Sequence, residues 1–110
     1  MSLKRVIIGA LVCAATGFGT VAWAAKVNVS AAEALAKKSG CNNCHSVSAE
    51  KVGPPHKETA AKYKGKPDAE QQLYTLLTTN PEVKGVGKHA SLKTKNEAEI
   101  RNVIKYILSR

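Results

Sequence analysis

The chain is short of the side chains that usually build a core. Its 110 residues hold one Trp, one Phe and one Met, and all three (Trp23, Phe18 and Met1) fall within the first 24 positions. Acidic residues are scarce too, eight against seventeen Lys and Arg, which gives a formal charge of +9. No alternating run argues for a sheet, and no segment repeats. What is present excludes a disordered tail, because 44% hydrophobic and 23% charged residues is ordinary globular composition. The length leaves room for one small domain.

Long apolar stretches are confined to the start. Lys4 and Arg5 form a short positive region, Val6 to Ala15 is almost continuously apolar, and Ala22-Trp23-Ala24 supplies the small-x-small pattern that signal peptidase cuts after. The pattern predicts an export signal over residues 1–24 and a mature domain over residues 25–110 with no membrane span. A retained anchor is the alternative, since Val6 to Ala25 carries no charge and is long enough to cross a bilayer as a helix. Gly9, Thr16, Gly17, Gly19 and Thr20 weaken that helix. Cys13 lies within the signal.

Without residues 1–24, fifteen basic and eight acidic residues remain, a formal charge of +7. The material for a core shrinks to sixteen Val, Leu and Ile residues with Tyr63, Tyr74 and Tyr106. Such a thin core usually needs a staple: disulfides, a metal or a bound cofactor.

The cysteines supply it. Cys41-Asn42-Asn43-Cys44-His45 is the Cys-x-x-Cys-His string through which c-type haem is attached. Two cysteines three apart in a helical turn project from one face, so both sulfurs can reach the vinyl groups of one porphyrin. The following His45 is then carried under the ring, where its imidazole can bind iron. A thioredoxin-like redox pair would want a strand before the motif and an α/β pattern around it, and neither is visible. Structural zinc would want a further Cys or His pair at short spacing, and no other cysteine follows the signal.

Around the motif the sequence reads as all-α, with about four short helices. Ser30 and Glu33 form a capping box ahead of a helix over Ala31 to Ser39, and Gly40 releases the chain before Cys41. A second helix is expected over Lys57 to Lys64. A third begins after Asp68, where Gln71 completes a cap-like pair and Leu73, Leu76 and Leu77 recur at three and four, and Asn80-Pro81 ends it. The last starts after Asn96, with Glu99 three residues on, and sets Ile100, Val103, Ile104, Ile107 and Leu108 on one stripe. Asn80 to Lys95, with Gly85 and Gly87, is a loop too long to be mere connection, and a functional role is the default expectation.

From Ala31 to Arg110 the chain resembles a small bacterial class I cytochrome c. The matching pieces are the helix running into Cys41-Asn42-Asn43-Cys44-His45, then Val52-Gly53-Pro54, Ala60-Ala61-Lys62-Tyr63, and Ile104-Lys105-Tyr106-Ile107-Leu108-Ser109. The resemblance implies the cytochrome c fold wrapped around one haem c, held covalently through Cys41 and Cys44, with His45 as an iron ligand. It implies that the Pro54 carbonyl accepts a hydrogen bond from that imidazole, fixing its tautomer. It also implies that the first and last helices cross, with Tyr106 at the crossing, and that the mature protein works in the periplasm.

One departure from the family pattern matters most. Its members place a Met in the distal loop as the sixth iron ligand, and no Met follows Met1 here. The candidates left are His89, Lys88, Lys93 or an open position. His89 lies in the segment where the distal ligand falls, after the flexible Gly85-Val86-Gly87, and is the residue expected to bind. The lysines must lose a proton to ligate. His56, two residues beyond Pro54, is expected to be partly exposed and without a ligand role.

Two imidazoles on the iron block substrate and suit an electron carrier rather than an enzyme. A haem protein with an open or displaceable sixth site that binds a small gas is one alternative, and an electron-port subunit of a larger oxidoreductase is another. Lys84, Lys88, Lys93 and Lys95 in or beside the distal loop form either a basic rim that steers an acidic redox partner protein or a plain solvated surface. Nucleic acid is not expected, because the basic segments carry no aromatic platforms. The expected state is a monomer.

Overall fold

A computed structural model describes residues 26–110, and the expected export signal and its cleavage point lie outside the described residues. Four helices account for nearly half of the described chain: α1 (Val29–Lys38), α2 (His56–Tyr63), α3 (Ala69–Thr78) and α4 (Glu97–Leu108). A single 3-10 turn, Cys41–Asn43, follows α1, and a minimal hairpin of β1 (Glu82–Val83) and β2 (Gly87–Lys88) sits between α3 and α4. The hairpin pairs Glu82 with Lys88 and Val83 with Gly87. Two-residue strands leave no alternating pattern, which is why the sequence read only as a loop there.

The stripe on α4 organises the packing. Ile100, Val103, Ile104 and Ile107 are buried, as expected, while Leu108 at the end of the stripe is only partly covered. Burying each such side chain contributes about 1.5–3 kcal/mol. The helix touches α1, α2 and α3, so it forms the spine of the molecule. Ala32 and Ala36, both buried on α1, let that helix approach α4 closely. Tyr106 spans this contact, with its ring buried and its hydroxyl donating to Glu33 on α1 at 3.4 Å. Leu73 and Leu77 of α3 and Leu92 of the distal loop complete the core.

The start of α1 differs from the capping-box expectation. Asn28, not Ser30, is the cap: its side-chain oxygen accepts from Ala31 N at 3.1 Å, and Ser30 Oγ donates to the same oxygen at 3.1 Å. Asn28 outcompetes Ser30 because it is also tied to α4. Its N–H donates to Asn102 Oδ1 at 2.9 Å, and its carbonyl accepts from Asn102 Nδ2 at 2.9 Å. Asn102→Ala removes both inter-helix bonds. The expected loss is about 1 kcal/mol, a Tm drop on the order of 5 °C in thermal unfolding, with the visible spectrum unchanged. At α3 the side chain paired with Asp68 is Gln72 rather than Gln71. Asn96 caps α4 as expected, accepting from Glu99 N at 3.2 Å.

The loop between α3 and α4 is fastened at both ends. Asn80 opens it in the left-handed region (φ 48°), a conformation asparagine tolerates better than most residues. At the far end, Leu92 N donates to Leu77 O at 3.0 Å, and Lys93 N donates to the buried Ser39 Oγ at 2.9 Å. The distal loop is therefore clamped to α3 and to the C-cap of α1.

Candidate functional site

The site is assembled from two short turns that face each other. On one side, Gly40 ends α1 in the left-handed conformation (φ 78°), and the chain enters the Cys41–Asn43 turn. Cys44 N and His45 N both donate to Cys41 O, at 3.1 and 2.9 Å. This tight turn keeps the two sulfurs and the imidazole on one compact segment. Neither cysteine is in a disulfide, and both are half-buried. Burial pushes the Cys41 thiol above its usual range, a backbone hydrogen bond pulls it down, and repulsion from Cys44 adds to the rise.

Pro54 holds the His45 ring. Its carbonyl lies 2.7 Å from Nδ1, and since a carbonyl only accepts, Nδ1 carries the proton and Nε2 keeps its lone pair. Gly53 makes the approach possible. A Cβ at that position would stand 2.3 Å from His45 Cε1 and 2.7 Å from Nδ1. The Gly53 N–H also donates to Cys44 O at 2.7 Å, closing this loop back on the cysteine turn.

On the other side, His89 directly follows β2. Its N–H donates to Pro81 O at 2.9 Å, and its carbonyl accepts from Asn80 Nδ2 at 2.9 Å. Its Nδ1 lies 2.8 Å from Ala90 O, so here too the proton sits on Nδ1 and Nε2 is free to donate electrons. The His45 and His89 ring centres are 6.0 Å apart, with the planes at 45°. Two imidazole nitrogens bound to one metal at about 2.0 Å, each with its ring centre about 1.1 Å behind, put the centres about 6 Å apart. The spacing therefore fits one metal ion between the rings.

Among the described residues, no three His, Cys, Asp or Glu side chains converge as a ligand set for a bare ion. The histidine pair suits a metal that brings its own equatorial ligands, as a porphyrin does, and the two adjacent thiols suit its covalent attachment. Lys88 and Lys93, the other distal candidates, are both exposed.

His56 departs from expectation. It is 7% exposed rather than partly exposed. Its ring stacks on His45 at 5.7 Å and 22°, and meets Tyr106 edge-on at 6.0 Å and 76°. The rigid Pro54-Pro55 pair places it at the first position of α2, where its N–H donates to Ser46 O at 2.9 Å and its side chain turns inward. Burial lowers its pKa, and the neighbouring His45 and Arg110 lower it further. The only sequence signal was its neighbourhood: it falls two residues after the Val52-Gly53-Pro54 element.

Comparison with known proteins agrees with this geometry. The family model described as Cytochrome c matches residues 29–110. Cytochrome c-552 of Hydrogenobacter thermophilus is 36% identical over 79 residues, covering 70% of this chain and 79% of that protein. Cytochrome c-551 of Allochromatium vinosum is 56% identical over 39 residues, which is 36% of this chain and 42% of the relative's length. Among solved structures, the class 1 cytochrome MtoD from Sideroxydans lithotrophicus ES-1 is 36% identical, with a TM-score of 0.66 over 76% of this chain and 96% of that one. Cytochrome c552 of Nitrosomonas europaea is 30% identical, with a TM-score of 0.56 over 70% and 96% of the two chains. The chain thus belongs to the cytochrome c family, as a small class I member with the all-α fold and one covalently attached haem c.

Proposed function

We propose that the protein is a periplasmic carrier of single electrons, tethered to its haem through Cys41 and Cys44 and holding the iron between His45 and His89. When bound, the haem supplies an iron that accepts and returns one electron. The protein's own side chains do the rest. Pro54 O and Ala90 O orient the two imidazoles, and each bond leaves Nε2 as the metal-facing donor. With His45 and His89 both on the iron, no position would be left for a substrate, so the site would carry charge without catalysing a reaction. The observation that carries this reading is the pair of facing imidazoles at 6.0 Å, each with Nδ1 spent on a main-chain carbonyl.

Export is supported by the charged, apolar and small-residue pattern over residues 1–24. Among the described residues, no helix is long and apolar enough to cross a membrane. Lys84, Lys88, Lys93 and Lys95 are exposed in or beside the distal loop, which favours an acidic redox partner.

Two measurements test the axial pair together. The reduction potential falls below that of His/Met relatives, because the thioether is the ligand that raises it, within the roughly 0.8 V that axial ligands command. Carbon monoxide added to the reduced protein binds slowly and incompletely, because it must displace an imidazole. A potential in the His/Met range, or immediate full binding of carbon monoxide, overturns bis-histidine ligation.

A further inference from the structure

The cysteine-bearing side of the molecule contains a series of rings that leads away from the metal site. His45 stacks on His56, His56 meets Tyr106 edge-on, and the Arg110 guanidinium lies over the Tyr106 ring at 4.6 Å. The two middle rings are buried, whereas Arg110 is exposed. The series thus connects the His45 imidazole to the surface through the interior, at a place whose lining includes no residue of the distal loop.

Where it emerges, there is a groove. An open cleft of about 670 Å³ is lined by Arg110, Lys57, Lys64 and Lys66 around Tyr63 and Leu108. Lys62 stands beside it, its ammonium 5.6 Å from the centre of the Tyr63 ring, and Lys66 lies 5.5 Å from the same centre. The only carboxylate side chain in the lining is Glu70, which also faces Arg101 at 3.9 Å. The C-terminal ends of α2 and α4 contribute about half a negative charge each, too little to balance five cations. The surplus positive charge is therefore free to recognise a partner.

Building on the electron-carrier reading, we infer that this groove is a second docking surface for an acidic redox protein. His56 and Tyr106 couple it to the metal site through His45. One electron passes between the partner's one-electron centre and the haem iron. Whichever is reduced at the start is oxidised at the end, and no bond or proton moves. Tunnelling falls off steeply with distance, so a packed series of rings is a better route than the surrounding aliphatic core.

The holoprotein is tested with a reduced plant-type [2Fe–2S] ferredoxin, a strongly acidic one-electron donor of low potential. Lys64→Glu/Lys66→Glu is compared at low ionic strength with Lys37→Glu/Lys38→Glu, which changes net charge equally at the exposed end of α1. The groove variant is expected to slow the second-order reduction about tenfold more than the α1 variant, and added salt should erase the difference. Equal slowing by both variants overturns the docking surface while leaving the carrier reading intact. Failure of the ferredoxin to reduce the wild-type haem at all overturns the carrier reading instead.

At saturating ferredoxin, Tyr106→Leu and His56→Leu are each expected to slow transfer within the complex several-fold at an unchanged reduction potential, while Tyr106→Phe, which keeps the ring, is not. Wild-type transfer in whichever leucine variants fold removes the coupling role of the rings.

Discussion

In the His89→Ala variant the ferric low-spin EPR signal should disappear almost completely and be replaced by a high-spin one. If His89 is the ligand, alanine removes the strong-field nitrogen opposite His45 and puts nothing in its place. The substitution is clean, because the main-chain bonds that shape the loop survive it. His89 N still has Pro81 O, and His89 O still has Asn80 Nδ2. Carbon monoxide should then bind the reduced variant rapidly and fully, and free imidazole in the buffer should restore the low-spin spectrum by occupying the vacated position. Retention of the wild-type low-spin spectrum in the variant would falsify His89 as a ligand and direct attention to Lys88 or Lys93.

The second large effect is expected at Gly53, a residue with no functional group. A methyl group there would stand 2.3, 2.7 and 2.9 Å from three atoms of the His45 ring. Neither side can yield cheaply. The ring is held by Pro54 O, and the glycine main chain is held by Cys44 O at 2.7 Å. Gly53→Ala should therefore break the His45–Pro54 bond and shift the imidazole. Overpacking and the lost hydrogen bond together cost about 2–4 kcal/mol. In a domain of this size that is a Tm drop on the order of 15 °C. The low-spin EPR g values should move as well, because the ring that sets one axial field has turned. An unchanged Tm and spectrum would mean that the loop relaxes freely and that Gly53 does not govern the ring.

The contrast between these two positions shows what could be read from the chain itself. The expectation for His89 comes from residue chemistry alone: with no Met after Met1, a histidine in a long glycine-containing loop stands out. The Cys41 to His45 string and the α4 stripe were legible as fixed spacings that local geometry imposes. His56 was not, because its inward turn depends on a contact with Tyr106, fifty residues away in sequence. Asn28 was missed for a similar reason. Ser30 and Glu33 satisfy the local capping pattern, but the reciprocal bonds with Asn102 of α4 favour a start one turn-fraction earlier. The hairpin escaped because its pairing involves two residues on each side. Local rules located the haem-binding string and the α4 stripe, and long-range packing decided what surrounds them.

The fastening of the distal loop bears on how readily the carrier changes valence. Lys93 N is bonded to Ser39 Oγ and Leu92 N to Leu77 O, while Asn80 and Pro81 hold His89 from the other side. The His89 imidazole is thus mounted on a frame anchored to two helices, and the His45 imidazole on a proline carbonyl beside the thiol turn. Such stiff mounts keep nuclear displacement small when an electron arrives or leaves. If the two imidazoles hold the iron as proposed, the inner-sphere reorganisation energy should be correspondingly low, and self-exchange between ferric and ferrous molecules should be governed by encounter and orientation rather than by the cost of remaking the coordination sphere.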